Sequence, residues 1–293
     1  MSEAALHLAG VSRRYSLAGP EGQLKTTLLH PGAAWRTRRK HNHIWAVRDV
    51  TLDVARGEFF SIIGANGSGK STLLRLISGL SQPTTGTVDV RGRLSTLLEL
   101  GTGFHPNVTG RENAIINGLL MGMRRSDIEA LLPQIVEFAG LQEFIGQPMR
   151  SYSTGMYVRL GFAIAAFMQP ELLVVDEVLA VGDGAFQRKC YDYISGLREQ
   201  GVTMIMVSHD LASVERFSSR VGLMEQGRMI AIGDPHEMVA EHLERLAASS
   251  PEIRRSIEEG IERAIENDPA ARAHHERVLA EKEAARKRKE RGG

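Results

Sequence analysis

The feature that most constrains what this chain can fold into is a glycine-rich stretch, Gly64-Ala65-Asn66-Gly67-Ser68-Gly69-Lys70-Ser71-Thr72. It fits G-x-x-x-x-G-K-[ST], a pattern in which backbone N–H groups surround the phosphates of a nucleotide. The apolar run 59–63 predicts a buried strand before the loop, and 72–77 predicts a helix after it that ends near Gly79. A helix N-terminus after glycines favours a bound anion. We therefore expect a nucleoside triphosphate, with Lys70 at its β- and γ-phosphates and the Ser71 hydroxyl on Mg²⁺.

Two apolar segments further along the chain end in polar residues that suit nucleotide hydrolysis. Residues 171–175 predict a short strand followed by Asp176 and Glu177. A carboxylate at a strand end can hold Mg²⁺, and the next carboxylate is placed to orient or deprotonate the attacking water. A second apolar strand, 203–207, leads to His209 at the edge where open α/β sheets bind ligands. His209 could therefore hydrogen-bond the γ-phosphate, although a lone histidine is more often structural.

A second helix start lies between the loop and the acids. Ser153 is a good N-cap for the amphipathic run 157–164, and small residues beside it leave N–H groups accessible. Taken alone this is only a helix N-terminus. In a chain with a phosphate loop, it suggests a second contact to the same triphosphate.

The order of these motifs resembles the ATP-binding subunit of an ABC transporter over about residues 5–240. The resemblance implies an α/β fold, an ABC-type P-loop ATPase domain with an N-terminal β subdomain, a RecA-like core and an inserted helical signature subdomain at about 102–168. It implies a Walker A motif at 64–72, a Walker B motif at 172–176 and a D-loop with Asp183. Its signature motif would be Tyr152, Ser153, Thr154, Gly155 and Met156. Glu177, His209 and Lys70 would then catalyse the hydrolysis of ATP to ADP and phosphate, with Mg²⁺ on Ser71 and Asp176.

The signature reads Tyr-Ser-Thr-Gly-Met rather than Leu-Ser-Gly-Gly-Gln, and it resembles the subfamily that exports lipid-linked polysaccharides and teichoic acids. Residues 97–106, 109–113 and 177–183 also resemble that subfamily. Where the wider family has a glutamine that touches Mg²⁺, the matching residue here would be Glu99. Tyr15 would stack on adenine, or it is a strand-end tyrosine packed on the surface.

The resemblance also implies partners. Two copies would form a homodimer around two ATP molecules, each held by one Walker A motif and the other subunit's signature. A separate multi-span permease would carry a lipid-linked glycan across the membrane, with the ATPase at the cytoplasmic face; no nucleic-acid partner is expected. The alternatives are an importer subunit for a small solute and a soluble ABC ATPase that acts on ribosomes or DNA. One Walker A motif and no long heptad run argue against the soluble class.

The remainder of the chain predicts domain limits and local structure. We expect the ATPase domain over 1–245 and a charged helical extension over 246–293, with isoleucines every four residues and no carbohydrate-binding domain. The basic connector 34–41 is a solvated loop or a strip facing anionic lipid. The single Cys190 suits a reducing cytoplasm, and neither a signal peptide nor a spanning helix is expected.

Three local patterns make sharper predictions. Residues 126–129 fit a capping box, and Gly140 should end the helix that follows. Residues 225–228 predict a hairpin turn between two strands. Alternation over 50–54 predicts a strand with one buried face.

Overall fold

The computed structural model describes residues 4–16, 43–98, 103–167, 170–176 and 183–249. Within these ranges the strands are β1 (Ala4–Ser16), β2 (His43–Ala55), β3 (Phe59–Ile63), β4 (Thr85–Val90), β5 (Leu94–Thr96), β6 (Leu172–Val175), β7 (Thr203–Val207), β8 (Arg220–Glu225) and β9 (Arg228–Gly233). The α-helices are α1 (Lys70–Ile77), α2 (Gly110–Leu120), α3 (Arg125–Ala139), α4 (Thr154–Phe167), α5 (Gly184–Glu199), α6 (Leu211–Phe217) and α7 (Pro235–Ser249), and Met149–Ser151 forms a 3₁₀ turn.

The first sheet has the order β2-β1-β4 and is antiparallel. Its β2 strand shows the expected alternation, because Val50, Leu52 and Val54 are buried while Thr51 and Asp53 between them are exposed. One face of this sheet therefore packs on the core and the other meets solvent, as is common in antiparallel sheets.

The second sheet has the order β5-β6-β7-β3-β8-β9 and is parallel except for β9, which runs antiparallel to β8. All residues of β3, β6 and β7 are buried, as expected for strands of a parallel sheet that is covered on both faces. Ile62 is paired with Val207, and Val175 is paired with Met206. The segments that follow these three strands therefore leave the sheet at the same edge.

Helices α2, α3 and α4 occupy the chain between β5 and β6, where a helical subdomain was expected. The ring of Phe138 on α3 stacks on Phe162 of α4 at 5.8 Å between centroids and meets Phe186 of α5 edge-on at 5.8 Å. These aromatic contacts join α3 to α4 and α5, the helices that precede and follow β6 in the chain.

The capping box expected at 126–129 is wrong. Helix α3 begins at Arg125 after an N-cap residue, Arg124, that makes no side-chain cap. The Glu129 carboxylate instead accepts a hydrogen bond from Arg125 Nε at 2.8 Å, and Asp127 pairs with Arg124. Both acids are thus engaged by arginine side chains rather than by the helix backbone.

The other local predictions hold. Gly140 ends α3 in the left-handed conformation (φ 66°), and Gly79 adopts φ 71° just after α1. Gln226 and Gly227 have φ 47° and 83° in the β8–β9 hairpin, as a type I′ turn requires. A capping box that was not predicted opens α2, where Thr109 and Glu112 each bond the other's backbone N–H.

Several expectations lie outside the described residues: the connector 34–41, Glu99, Glu177, the isoleucine repeat and nearly all of 246–293. The described residues up to Val239 belong to one compact unit, and a domain limit at residue 245 stays a prediction. Among the described residues, no helix is both long enough and apolar enough to cross a membrane.

Candidate functional site

The glycine-rich loop leaves β3 and enters α1 through two glycines whose backbone no other residue adopts easily. Gly64 has φ 151° and Gly69 has φ 105°. A Cβ on Gly64 would collide with the carbonyl oxygen of Met224, and one on Gly69 would collide with that of Ala46. The loop is therefore seated on the backbones of β8 and β2, and only glycine fits at its two ends.

Backbone hydrogen bonds hold the middle of the loop. Ser68 N–H donates to Ala65 C=O at 3.1 Å, which closes a tight turn within the loop. Gly227 N–H of the β8–β9 turn donates to Ser68 C=O at 2.9 Å. The loop is thus fixed to the sheet on which it rests.

Lys70 lies at the first position of α1 and is only 6% exposed. Its ammonium group donates to the carbonyl oxygens of Gly64 at 2.7 Å and Ala65 at 3.1 Å. The buried ammonium group therefore links the end of the loop to its beginning, next to the N-terminus of α1. That position suits a group that would face the phosphates of a nucleotide.

The N-terminus of α1 has the chemistry of an anion site. Its N-cap residue, Gly69, provides no side-chain hydrogen bond, so the first-turn N–H groups have no cap acceptor. The buried hydroxyl of Ser68 has no hydrogen-bond partner within the described part of the chain. Buried polar groups are normally paired, so both observations fit a bound phosphate that would accept hydrogen bonds there.

The predicted metal and switch residues lie at the same sheet edge as the loop. Asp176 follows β6 directly and is half-buried. His209 is exposed in the turn between β7 and α6. Asp210 N–H donates to Ser208 Oγ at 3.0 Å, and the Asp210 carboxylate caps α6 by accepting from Ala212 N–H at 3.2 Å. His209 is therefore held in a defined turn, whereas Glu177 and Glu99 lie outside the described residues.

The signature turn opens α4 as expected. Ser153 Oγ accepts a hydrogen bond from Met156 N–H at 3.2 Å, which confirms Ser153 as the N-cap. Ser153 and Thr154 are exposed, and a Cβ on Gly155 would meet only Ser153 Oγ, at 3.9 Å. Nothing within the described residues therefore requires a glycine at position 155.

Tyr152 has a role within the chain that the motif did not reveal. Its hydroxyl donates to the Phe144 carbonyl oxygen at 2.8 Å, and burial raises the pKa of the Tyr152 phenol. The pattern held no signal for this bond, since it joins two loop positions that no periodicity relates.

Tyr15 lies near the end of β1, 38% exposed, beside the phosphate loop. Burial acts to raise the pKa of Tyr15, but side-chain hydrogen bonds with Arg13, Ser81 and Thr72 bring it below its ordinary value. The Arg13 guanidinium lies 4.8 Å from the centre of the Tyr15 ring. The contact with Thr72 places Tyr15 beside the first turn of α1, next to the residues expected to hold the phosphates.

Asp183, expected in the D-loop, caps α5. Its carboxylate accepts from Phe186 N–H at 2.9 Å, and this bond lowers the pKa of Asp183. Arg159 of α4 lies 3.9 Å from the same carboxylate. Asp183 thus links the end of the predicted D-loop to the helix that carries the signature.

The chain matches the ABC transporter family over residues 47–180. It is 39% identical over 246 residues to the O-antigen export system ATP-binding protein RfbB of Klebsiella pneumoniae, covering 84% of this chain and 100% of that protein. It is 41% identical to the protein of the same name from Myxococcus xanthus, covering 80% of this chain and 54% of that protein. Against the teichoic acids export ATP-binding protein TagH of Lactiplantibacillus plantarum the identity is 46%, over 67% of this chain and 53% of that protein. The chain thus spans the whole of the first relative but about half the length of the other two.

Solved structures agree on the fold. A dimeric ATP-binding cassette bound to ADP and Pi in a post-hydrolysis state superposes with a TM-score of 0.63 at 21% identity, covering 78% of this chain and 98% of that one. An ATP-binding subunit of an ABC transporter gives 0.65 at 20% identity, covering 81% and 92%. These matches confirm the expected α/β fold of an ABC-type P-loop ATPase. With the phosphate loop, the uncapped helix and the relatives taken together, this chain belongs to the ABC transporter family, as one of its ATP-binding subunits.

Proposed function

We propose that this chain hydrolyses ATP to drive a lipid-linked polysaccharide or teichoic acid across the cytoplasmic membrane. The observation that carries the ATPase part is the phosphate loop, where Lys70 and an uncapped helix N-terminus converge at the sheet edge that also holds Asp176. The cargo rests on the relatives, which are named for O-antigen and teichoic acid export. Those names favour export over the importer and soluble alternatives.

The residues divide the chemistry among them. The loop N–H groups and Lys70 would bind the phosphates, and Ser71 and Asp176 would hold Mg²⁺, which supplies positive charge against the β- and γ-phosphates. Glu177 would orient or deprotonate the attacking water, and His209 would hydrogen-bond the γ-phosphate. Tyr15 would contact the adenine.

The signature would act across a homodimer. Thr154 is exposed and Gly155 has open space around it, so the turn presents small residues and a helix N-terminus to solvent. A twofold dimer can place this turn against the phosphate loop of its partner, because an isologous interface brings two different patches together twice. Glu99 would contact the metal, and Asp183 would lie near the dimer interface.

The remaining partners follow from the same proposal. A separate multi-span permease would bind the helical subdomain and hold the ATPase at the cytoplasmic face of the membrane. To identify the cargo, the lipid-linked polymers that accumulate in cells depleted of this protein would be measured. If no lipid-linked glycan accumulates in the depleted cells, export of such a polymer is contradicted.

The composite site can be tested with Gly155→Trp and Lys70→Ala. A Trp at 155 should leave ATP binding by the monomer intact and block ATP-driven dimerisation, because the signature would touch only the partner's nucleotide. Lys70→Ala should weaken ATP binding in the monomer itself. Equal loss of monomer affinity in both variants, measured with a fluorescent ATP analogue, would count against the composite site.

The role of Glu177 has a separate test. Glu177→Gln removes the carboxylate charge but keeps the shape, so ATP should still bind while turnover falls by at least about a hundredfold. Phosphate release at the parent rate from the assembled complex would show that Glu177 is not the catalytic base.

A further inference from the structure

The chain leading into the signature turn is hydrogen-bonded along its length to the loop that opens α2. We call residues 105–111 and 145–150 the paired segments. Four backbone bonds join them: Met149 N–H to Val108 C=O at 3.0 Å, Arg150 N–H to Pro106 C=O at 2.8 Å, Gly110 N–H to Gln147 C=O at 3.2 Å and Arg111 N–H to Ile145 C=O at 2.9 Å. The two stretches are about 40 positions apart in sequence, so their pairing fixes the entry to the signature turn against α2.

A single buried amide holds the first paired segment in shape. Asn113, on the first turn of α2, is 0% exposed. Its Oδ1 accepts from His105 N–H at 2.7 Å. Its Nδ2 donates to the carbonyl oxygens of His105, Val108 and Thr109 at 3.1, 3.1 and 3.0 Å. Asn113 therefore fastens both ends of the 105–109 loop to one side chain.

Contacts on both sides of the signature turn tie it to residues within and next to the paired segments. Before the turn, Tyr152 bonds Phe144 and lies so close to Gly110 that a Cβ there would collide with the Tyr152 hydroxyl. After it, the ring of Tyr157 meets that of Phe104 edge-on at 5.0 Å. Within the turn itself, Ser153 and Thr154 are exposed and Gly155 has open space around it, so the segments that flank the turn set its position.

We propose that Asn113 is a positioning residue for the signature turn, acting through the paired segments. The proposal rests on the proposed role of residues 153–156 across the dimer. Without the Asn113 amide, the three carbonyl oxygens of the 105–109 loop lose their common donor. The loop then no longer holds 145–150 in one place, and the turn no longer meets the partner's nucleotide in a single geometry.

The variant Asn113→Asp tests this with little change in shape. It keeps an acceptor for His105 N–H but sets a carboxylate oxygen against the loop carbonyls. We expect amide hydrogen exchange over 105–111 and 145–157 to accelerate by at least about tenfold, because the loop carbonyl oxygens lose the shared Asn113 amide donor and face a carboxylate oxygen instead. Exchange over 64–72 and ATP affinity of the monomer should stay unchanged, while ATP turnover falls by about tenfold or more.

Asn117 provides a matched control on the same helix. It is also buried, at 8% exposed, and its amide donates to the Asn113 carbonyl oxygen at 3.0 Å, within the helix itself. Asn117→Ala should leave exchange over 145–157 and ATP turnover near the parent values. Equal acceleration in both variants would mean that α2 has merely loosened, and it would overturn the positioning role.

A second variant keeps the test decisive if Asn113→Asp does not fold. Tyr152→Phe removes only the hydroxyl bond to Phe144, and it should shift exchange over 145–157 and turnover in the same direction by a smaller factor. Unchanged exchange over 145–157 in whichever of these variants folds would refute the proposal. Parent-like turnover in Gly155→Trp would instead refute the signature's role, whatever the exchange data show.

Discussion

One methyl group added at Gly69 should unseat the phosphate loop, whereas the same methyl at Gly67 should be tolerated. Both glycines have positive φ, 105° and 77° respectively. A Cβ on Gly69 would collide with the Ala46 carbonyl oxygen and lie 3.3 Å from the Met224 methyl group, while one on Gly67 would meet nothing within 4 Å. The pair therefore separates backbone strain from steric collision within one loop.

The expected magnitudes follow from that difference. A left-handed alanine costs about 1–2 kcal/mol, and this is the whole effect at Gly67. At Gly69 the β2 backbone must also shift, which adds about 1–3 kcal/mol, as overpacking does in a core. We therefore expect the free energy of unfolding to fall by about 1 kcal/mol in Gly67→Ala and by about 3 kcal/mol in Gly69→Ala.

Urea unfolding of the two variants measures this difference, and titration with a fluorescent ATP analogue measures its effect on the site. Gly69 is the N-cap residue of α1, so its displacement turns the first-turn N–H groups and should weaken ATP binding by at least about tenfold. Gly79→Ala, at φ 71° with open space beyond the other end of α1, is a control that should lose stability but keep ATP affinity. Equal stability of Gly67→Ala and Gly69→Ala, or parent-like ATP binding by Gly69→Ala, would refute the reasoning.

Three further outcomes are expected. Gly110→Ala should lower the free energy of unfolding in urea titrations, because the new Cβ collides with the Tyr152 hydroxyl. Adding Tyr152→Phe to this variant should restore part of the loss. If it restores none, the strain lies elsewhere. The bond from Phe186 N–H lowers the pKa of Asp183, so its stabilisation is present above the unfolded-state pKa and is lost as the pH falls through the native one. Asp183→Asn, which keeps a capping oxygen, should therefore lose less stability on acidification than the parent in urea titrations across acidic pH, and identical pH profiles would contradict this. Burial raises the pKa of Cys190 to about 12, so iodoacetamide at pH 8 should modify this thiol only when the protein unfolds. Mass spectrometry measures the labelling, and fast labelling of the native protein would argue against burial.

The phosphate loop could be predicted because its chemistry is local. The spacing of its glycines, Lys70 and Ser71 demands a strand before and a helix after, and β3 and α1 supply both. The N-cap at Ser153 and the hairpin at 225–228 were predictable for the same reason, since each depends on residues within four positions.

The two capping patterns show where such prediction fails. Thr109 and Ser126 each precede a glutamate by three positions, yet only Thr109 forms the box. An isolated antiparallel β-bridge to Pro148 holds the Thr109 backbone in place, whereas the Glu129 carboxylate forms an ion pair with Arg125. The choice depends on tertiary contacts and competing ion pairs that a four-residue pattern does not contain.

Strand neighbours were equally beyond local patterns. The alternation over 50–54 shows that β2 buries one face, but it says nothing about which strands lie beside it. The short β5 strand pairs with β6, nearly 80 positions later, across the whole helical segment. The role of Asn113 was missed for a different reason: its partners His105, Val108 and Thr109 lie four to eight positions before it, in a loop without a periodic pattern.

The order of strands in the parallel sheet has a consequence for how the protein is made. Phe59 of β3 lies beside Met204 of β7 and Phe60 beside Arg220 of β8, so both neighbours of β3 are encoded about 145 or more positions after it. At ribosomal rates of about 5–20 residues per second, the nascent β3 strand waits on the order of ten to thirty seconds for either partner. During that interval only α1, the first sheet or a chaperone can shield the apolar side chains of β3 from water. The Met224 backbone, against which Gly64 of the phosphate loop packs, has not yet been synthesised. Nucleotide can therefore assist only the last stage of folding on the ribosome, after the hairpin at 225–228 has emerged.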